Sequence, residues 1–467
     1  MKDLTKKNII EKIKSHDWDL RVTRPGFLQS KTILNEAEMQ EIKLSKNAKA
    51  QYDKVFWIKD LYLYDDERTA LFIPEFEKAF KEDQKWPKKI MEFFDKAKQD
   101  IKDFIKVLHD TDWKKESHEN KIKTFLRYVE LLKSIQKYYI IGVPICNFCE
   151  SRISSNDNSN LLEHYAIPYA NLDIDEMQRS IDNLRKLSGQ DFENAAKEHL
   201  KRFAWIKTAY DIIQPYTEED LRNELKNKQK NELTQEHEEG KKAEKPVVPE
   251  NLKPYVLGLQ IGIFIRNRMK EMSQQLWFHA RPLQKAMALD LGISIEDFLQ
   301  LTYHEVLDSC KKGECTVSEQ VIQARHKGFC AGMWNNEEII LTGKDADELE
   351  EFFSKPAQVD INEIKGNTAC MGHAKGKARL VLNPEQAKDF QEGEILVTTM
   401  TTPDFVIIMK KAAAIVTDEG GLSCHAAIVS RELGVPCVIG TKIATKAINN
   451  GDKLEVNADE GIIKKLN

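Results

Sequence analysis

The sequence lacks several features that would assign a protein to a broad functional class. No apolar run reaches the roughly 20 residues that a membrane-spanning helix requires, and the N-terminal residues lack the apolar segment of a secretion signal. The 467 residues include only 8 cysteines, too few to suggest a disulfide framework. Acidic residues number 75 and basic residues 70, which argues against a general nucleic-acid binder. A cytoplasmic protein that binds neither membranes nor nucleic acid is predicted.

The sequence also has no glycine-rich loop followed by lysine of the kind that cradles ATP phosphates. Its single Cys-x-x-Cys motif joins Cys146 and Cys149, and no second such motif or His-x-x-x-His supplies the two further ligands that zinc would need. The motif follows a helical pattern and Pro144 rather than a strand, unlike a redox-active pair. Two buried structural cysteines and no metal site are predicted.

Most of the chain has helical periodicity. Apolar residues recur three and four apart over residues 74–150, and another long helix is predicted from Pro254. The aromatic residues in these stripes are more often core residues than the lining of a pocket. Residues 18–26 resemble a strand that ends in a Pro-Gly turn, and residues 54–58 and 61–64 either pair with it or begin a helix. Both alternatives remain open.

Short apolar strands alternate with helices over the last hundred residues, which is typical of a compact β/α domain. The predicted fold class is α+β, with several domains. A mostly helical region covers residues 1–350, a hinge linker covers 351–366, and the β/α domain covers 367–467.

Residues 291–307 predict a short helix-loop-helix in which Asp297 or Thr302 is the N-cap. His304 and Glu305 would be an acid–base pair only if their side chains met. Adjacent helix positions point in different directions, so structural roles are favoured for both.

A strand, a glycine turn and a helix surround one histidine near the end of the chain. Residues 412–416 are an apolar run typical of a buried strand, and Gly420 and Gly421 follow it. A helix is predicted over residues 425–433, because Gly434 follows it directly and Pro436 prevents its continuation. His425 then lies in the first helical turn, where the dipole is positive and several N–H groups lack partners. An anion is stabilised at such a place.

This position suits phosphoryl transfer through the imidazole ring. The positive end of the helix dipole disfavours imidazolium, so the ring stays neutral and nucleophilic. After phosphorylation, the same dipole and N–H groups stabilise the added negative charge. A lone histidine is nevertheless more often a helix cap or a core residue. The residues around His425 therefore decide between a structural role and phosphoryl transfer.

The motif around His425 reads Gly-Gly-Leu-Ser-Cys-His-Ala-Ala-Ile over residues 420–428 and Ser-Arg-Glu-Leu-Gly-Val-Pro over residues 430–436. Upstream stand Gly-Glu-Ile-Leu-Val-Thr over 393–398 and Thr-Pro-Asp-Phe over 402–405. Together these segments resemble the phosphohistidine domain of the PEP-utilising family, which includes phosphoenolpyruvate synthase, pyruvate phosphate dikinase and rifampin phosphotransferase. The resemblance implies that His425 is phosphorylated and dephosphorylated as a swivelling domain moves between active sites.

The resemblance also implies a set of supporting residues. The phosphate-site loop and helix start would comprise Gly420, Gly421, Ser423, Cys424 and Ala426. Thr402 and Arg431 would support them. Ser423 stands where the synthase and dikinase family has a threonine that regulatory proteins phosphorylate. It is predicted to cap the helix, and regulatory phosphorylation is the alternative.

The family keeps its nucleotide site in an ATP-grasp domain and its pyruvate site in a barrel, and neither is recognisable in this sequence. We therefore expect this chain to bind no cofactor itself, and to use Mg-ATP or phosphoenolpyruvate through an ATP-grasp-like partner that donates the phosphoryl group. The favoured interpretation is a phosphotransferase whose helical region binds a small-molecule acceptor. The alternative is a non-catalytic phosphocarrier or regulatory scaffold whose helices dock partners.

Overall fold

A computed structural model describes most of the chain. It covers residues 6–16, 18–22, 26–50, 54–58, 61–65, 68–154, 161–162, 165, 168, 170, 172–208, 212–226, 246–335, 337–354, 363–382, 389–401, 405–421 and 424–466. The chain divides into two compact units, one formed by Met1–Arg152 with Ile167–Leu349 and the other by Ile153–Ala166 with Glu350–Asn467. Within the described ranges, no helix combines the length and apolar character needed to cross a membrane.

Helices dominate the chain up to residue 354. In the described residues they are α1 (Lys6–Ser15), α2 (Leu28–Glu38), α3 (Arg68–Glu82), α4 (Trp86–Asp110), α5 (His118–Gln136), α6 (Tyr139–Ser154), α7 (Asp173–Leu184), α8 (Gly189–Phe203), α9 (Glu218–Lys226), α10 (Lys253–Asp290), α11 (Ile295–Leu299), α12 (Tyr303–Lys312), α13 (Glu319–Lys327) and α14 (Lys344–Ser354). The helical pattern over residues 74–150 is confirmed, although α3 already begins at Arg68. The long helix predicted from Pro254 is α10, and this proline lies in its first turn, where its missing N–H costs nothing.

A five-stranded antiparallel sheet accompanies these helices, in the order β1-β5-β4-β6-β7. Its strands, with a separate short pair β2–β3, are β1 (Trp18–Val22), β2 (Ile42–Lys43), β3 (Lys49–Ala50), β4 (Lys54–Ile58), β5 (Leu61–Asp65), β6 (Phe329–Trp334) and β7 (Glu337–Thr342). Residues 54–58 and 61–64, which could have formed strands or begun a helix, are strands, since β1 and β4 both pair with β5. The sequence analysis did not predict β6 and β7. Strand β6 pairs with β4, and more than 270 positions separate the paired residues, so no local pattern indicates this pairing.

The predicted helix-loop-helix over residues 291–307 is formed by α11 and α12. Thr302 caps α12 as predicted, and the Glu305 carboxylate accepts in return from the backbone N–H of Thr302 at 2.9 Å. The prediction for Asp297 is wrong. Ser294 caps α11 and accepts from the backbone N–H of Asp297 at 3.0 Å.

A buried charge cluster ties α7 to α10. Arg268 donates to Asp173 at 2.7 Å and lies 3.1 Å from the carboxylate of Glu271, which also accepts from the backbone N–H of Ile174 at 3.0 Å. Burial, followed by the neighbouring charge of Asp173, raises the pKa of Glu271 to about 7. The native state therefore holds a proton at Glu271 that the unfolded chain has already released.

The free energy of unfolding is expected to fall as pH rises from the ordinary glutamate value of 4.5 to about 7, because the native pKa of Glu271 exceeds the unfolded one. Glutamine cannot ionise, so in Glu271→Gln the free energy of unfolding should decrease by about 3 kcal/mol less over the same pH range. Urea unfolding of the full chain, followed by far-UV circular dichroism at several pH values, measures the effect. The exposed Glu219→Gln on α9 is the matched control. An unchanged pH dependence in Glu271→Gln would contradict the prediction.

The second unit contains an eight-stranded sheet in the order β8-β15-β14-β10-β11-β12-β13-β9. Its strands are β8 (Glu363–Lys365), β9 (Asn367–Cys370), β10 (His373–Leu380), β11 (Ile395–Thr398), β12 (Ala414–Thr417), β13 (Cys437–Ile439), β14 (Lys453–Asn457) and β15 (Ile462–Leu466). Its described helices from residue 405 onward are α15 (Val406–Met409), α16 (His425–Leu433) and α17 (Ala444–Ala447). Strands β10 to β13 run parallel, and β14–β15 is the predicted closing hairpin. The strand-helix alternation predicted for this region is confirmed.

The central strands of this sheet are buried on both faces. Val397 and Val416 belong to one apolar cluster, whereas Leu396 and Ile415 belong to another, because successive residues of a strand point to opposite faces. The second cluster includes Ala427 of α16. Helix α16 is therefore anchored on the face that carries Leu396 and Ile415.

The predicted hinge over residues 351–366 has secondary structure at both ends. Residues 351–354 complete α14, and β8 pairs with β15 of the second unit. Residues 355–362 lie outside the described residues. The hinge itself, and the domain boundaries proposed on either side of it, remain predictions.

Candidate functional site

His425 is the first residue of α16, and the parallel sheet places it next to the end of a neighbouring strand. Thr398 and Thr417 are paired at the carboxyl ends of β11 and β12, so the segments that follow these strands emerge side by side. Thr401, three residues beyond β11, is buried, and its Oγ1 lies 2.8 Å from Nδ1 of His425. This hydrogen bond fixes one edge of the imidazole ring.

The start and end of α16 agree with the sequence prediction. Gly434 ends the helix in the left-handed conformation at φ 65°. The N-cap is Cys424, whose Sγ accepts from the backbone N–H of Ala427 at 3.4 Å. The capping position predicted for Ser423 is thus held by Cys424, and Ser423 itself lies outside the described residues. Because the first four N–H groups of a helix lack intrahelical acceptors, the backbone around His425 suits an anion.

Gly420 is required by the geometry of the loop before the helix. Its φ of 127° is a conformation that residues with a side chain rarely adopt. A Cβ atom at this position would lie only 2.6 Å from Sγ of Cys424. The neighbouring Gly421 accepts from the backbone N–H of Cys424 at 2.9 Å. The absence of a side chain at Gly420 therefore lets the loop pass directly against the N-cap of the histidine helix.

The other predicted site residues have diverse positions. Ala426 is buried in the core, so its contribution to an anion site would come from its backbone N–H. Arg431 donates from Nε to the carbonyl of Ala369 at 3.0 Å and ties α16 to β9. Thr402 lies outside the described residues, and the threonine seen on the histidine ring is Thr401. The supporting roles of Thr402 and Arg431 remain predictions.

Asp418 is a structural residue of the site that sequence reasoning missed. It follows β12 directly and accepts from Thr441 Oγ1 at 2.9 Å and from the backbone N–H of Thr445 at 3.1 Å. Burial raises the pKa of Asp418, although the hydrogen bonds from Thr445 and Thr441 oppose that rise. Asp418 thus holds the β12 end of the loop to the segment after β13. A carboxylate directly after a buried strand was the available signal in the sequence.

Cys146 and Cys149 are both buried in α6, as predicted for structural cysteines. Burial raises the pKa of Cys146 to about 12 and that of Cys149 well above the usual value. A thiol with so high a pKa carries almost no thiolate at neutral pH, so neither residue suits redox chemistry.

Residues 390–461 match the family described as PEP-utilising enzyme, mobile domain. A segment of 125 residues is 52% identical to the probable phosphoenolpyruvate synthase of Archaeoglobus fulgidus, covering 27% of this chain and 16% of that protein. The phosphoenolpyruvate synthase of Pyrococcus furiosus is 48% identical over 124 residues, which are 27% of this chain and 14% of that protein. That of Aquifex aeolicus is 56% identical over 98 residues, which are 21% of this chain and 11% of that protein.

The chain therefore matches between 11% and 16% of the length of these relatives. The matched family segment contains the strands β11 to β13, the glycine loop and the helix that begins at His425. Residues 390–461 of this chain thus match the mobile domain of PEP-utilising enzymes.

Proposed function

We propose that this chain is a phosphotransferase component that carries a phosphoryl group on His425. The observation that carries this proposal is the 2.8 Å hydrogen bond between Thr401 Oγ1 and Nδ1 of a histidine that begins a helix. Because Nδ1 is engaged by the threonine, the phosphoryl group is assigned to Nε2. Thr401 then holds the ring in one orientation before and after phosphorylation.

The surroundings of His425 favour the phosphorylated state electrostatically. A phosphoryl group adds about two negative charges, and the N-terminus of α16 contributes a positive partial charge together with N–H donors. Gly420 has no side chain to cover the loop backbone next to the same helix end. These groups are in place before the reaction, so they do not have to reorganise during it.

In this proposal the phosphoryl group comes from a separate ATP-grasp-like protein that uses Mg-ATP or phosphoenolpyruvate. The similarity to the named phosphoenolpyruvate synthases is confined to at most 125 residues, and this supports a donor site outside the chain. The domain swivels about the segment 351–366 and passes the group to a small-molecule acceptor on the helical region. One histidine can reach both sites only by moving, because two such sites cannot occupy the same place.

Purified full chain is expected to acquire no acid-labile label from radioactive Mg-ATP or phosphoenolpyruvate alone. Adding an extract of the cells that encode it should allow labelling, because the extract supplies the donor protein. The measurement is acid-labile, base-stable radioactivity on the full-length chain. Stoichiometric labelling of the purified chain by ATP would contradict the separate donor and would mean that the chain has its own nucleotide site.

A further inference from the structure

A cleft of about 310 Å³ lies in the first unit, between the end of α3, the end of α6 and the start of α10. Its floor is aromatic. Phe80 on α3 and Tyr255 on α10 both line it, and their ring centroids are 5.4 Å apart. The buried Phe148 on α6 supports both rings, at 5.9 Å from Phe80 and 6.0 Å from Tyr255. Other aromatic rings therefore hold the floor of the cleft in place.

The floor depends on a close approach of α10 to α3 and α6. Gly258 lies on α10 one turn beyond Tyr255. A Cβ atom there would lie 2.9 Å from Cζ of Phe80 and 2.7 Å from Sγ of Cys149, both inside normal contact distance. The absence of a side chain at Gly258 therefore allows Phe80 to lie between the helices, where it is buried. This packing fixes the Phe80 ring at the base of the cleft.

The charged groups of the cleft leave one positive charge without a partner. Arg152 on α6 forms an ion pair with Glu77 on α3, and its guanidinium lies 5.3 Å from the ring centroid of Phe148. Lys81 follows Glu77 by one helical turn and also lines the cleft. Its side chain is exposed and forms no ion pair or hydrogen bond with any residue that the structure describes. Because Glu77 balances Arg152, the lining has a net charge of one positive unit.

The rim of the cleft has neutral hydrogen-bonding groups. Gln84 follows α3 and Asn251 precedes α10, and both amides are exposed. Neither amide, nor the hydroxyl of Tyr255, forms a hydrogen bond within the described part of the chain. Each of these groups can both donate and accept. Helix packing accounts for the buried rings, whereas a half-exposed ring surrounded by unpaired polar groups is typical of a small-molecule site.

We propose that this cleft binds a small molecule with one planar ring and one carboxylate group. The ring packs against Tyr255 and Phe80, and the carboxylate pairs with Lys81. The volume is near the lower end of the range for small-molecule sites, about 300 Å³, and suits one ring. A nucleotide fits less well, because its phosphates need several cations or a row of backbone N–H groups. The inference concerns the first unit alone and does not depend on the carrier role of His425.

The test measures binding of three probes to the purified full chain by ligand-observed NMR titration. Benzoate has both the ring and the charge, benzyl alcohol has the ring alone, and cyclohexanecarboxylate has the charge without a planar ring. Benzoate is expected to bind with a Kd on the order of 1 mM, as suits so small a ligand. Benzyl alcohol should bind about tenfold more weakly, because it forms no charged hydrogen bond. Cyclohexanecarboxylate should bind about fivefold more weakly, because it cannot stack.

Two variants assign the contributions to residues. Lys81→Met should weaken benzoate about tenfold and leave benzyl alcohol unchanged, since only the charged contact is lost. Tyr255→Leu should weaken both about fivefold, since both have the ring. The matched control is Lys102→Met, which removes an exposed lysine of α4 that does not line the cleft. It should bind all three probes like wild type. Thermal melting verifies that each variant is folded.

Three results would overturn the inference. They are the absence of benzoate binding at about 10 mM, equal affinities for the three probes, and equal benzoate affinities in Lys81→Met and Lys102→Met. If Tyr255→Leu has a lowered melting temperature, the comparison of the two lysine variants still decides, because both lysines are exposed. Phosphate labelling of His425 is a separate measurement. Its failure would contradict the proposed function and leave the binding result unchanged.

Discussion

Replacing His425 with alanine is expected to abolish the acid-labile phosphate that the chain receives from a partner protein. The imidazole is the proposed nucleophile, and alanine offers no nitrogen at the start of α16. The fold should survive, because His425 is only partly buried and alanine favours the helix. The measurement is radioactive phosphate on the full chain, with circular dichroism and thermal melting to verify folding.

His373→Ala is the matched control for this experiment. His373 belongs to the same unit, at the start of β10, and its Nε2 lies 3.0 Å from Asp459 on the exposed surface. It begins a strand rather than a helix, so it lacks the N–H groups that favour a phosphoryl group. Labelling should be the same as in wild type. Equal labelling of His425→Ala and wild type would disprove the carrier role.

Replacing Gly420 with alanine is expected to lower the rate of phosphorylation at His425 about 100-fold. The new Cβ would lie 2.6 Å from Sγ of Cys424, whereas unbonded heavy atoms rarely approach closer than about 3.5 Å. Loop and helix start must therefore separate by about 1 Å, a displacement that costs about two orders of magnitude in rates that depend on orientation. The rate of labelling by the partner protein measures the effect.

Gly393→Ala is the control that distinguishes the steric contact with Cys424 from the effect of backbone strain. Gly393 also has a positive φ, 86°, but a Cβ there would meet no atom within 4 Å. Alanine should cost about 1–2 kcal/mol of stability through its backbone conformation and leave labelling intact. If Gly420→Ala labels as fast as Gly393→Ala, the close approach of the loop to Cys424 does not position the histidine.

The local structure around His425 was predictable because its signals lie close together in the chain. A buried strand, two glycines, a nine-residue helical pattern and a terminal glycine define β12, the loop and α16 without any distant contact. The start at His425 and the end at Leu433 both agree with the prediction. The choice between Cys424 and Ser423 as N-cap was not predictable, since both can accept a hydrogen bond and only the backbone path selects one.

Contacts between distant segments could not be predicted from local sequence patterns. Thr401 meets His425 because β11 and β12 are parallel neighbours, and their register brings Thr398 opposite Thr417. A sequence motif names a segment but not which of two adjacent threonines faces the ring. The strand β6 is a similar case, because an apolar run of six residues takes its identity from its pairing with β4.

By itself, the sequence determined that a histidine begins a helix after a glycine loop in a β/α domain, since backbone conformation and helix caps depend on neighbouring residues. The tertiary structure alone decided which side chains meet it and which carboxylate contacts His304. Glu36 and His304 are 268 positions apart and were not a pair in any local pattern. Side-chain chemistry at such sites depends on distances of about 3 Å between atoms of separate elements, and these distances follow from packing the whole chain.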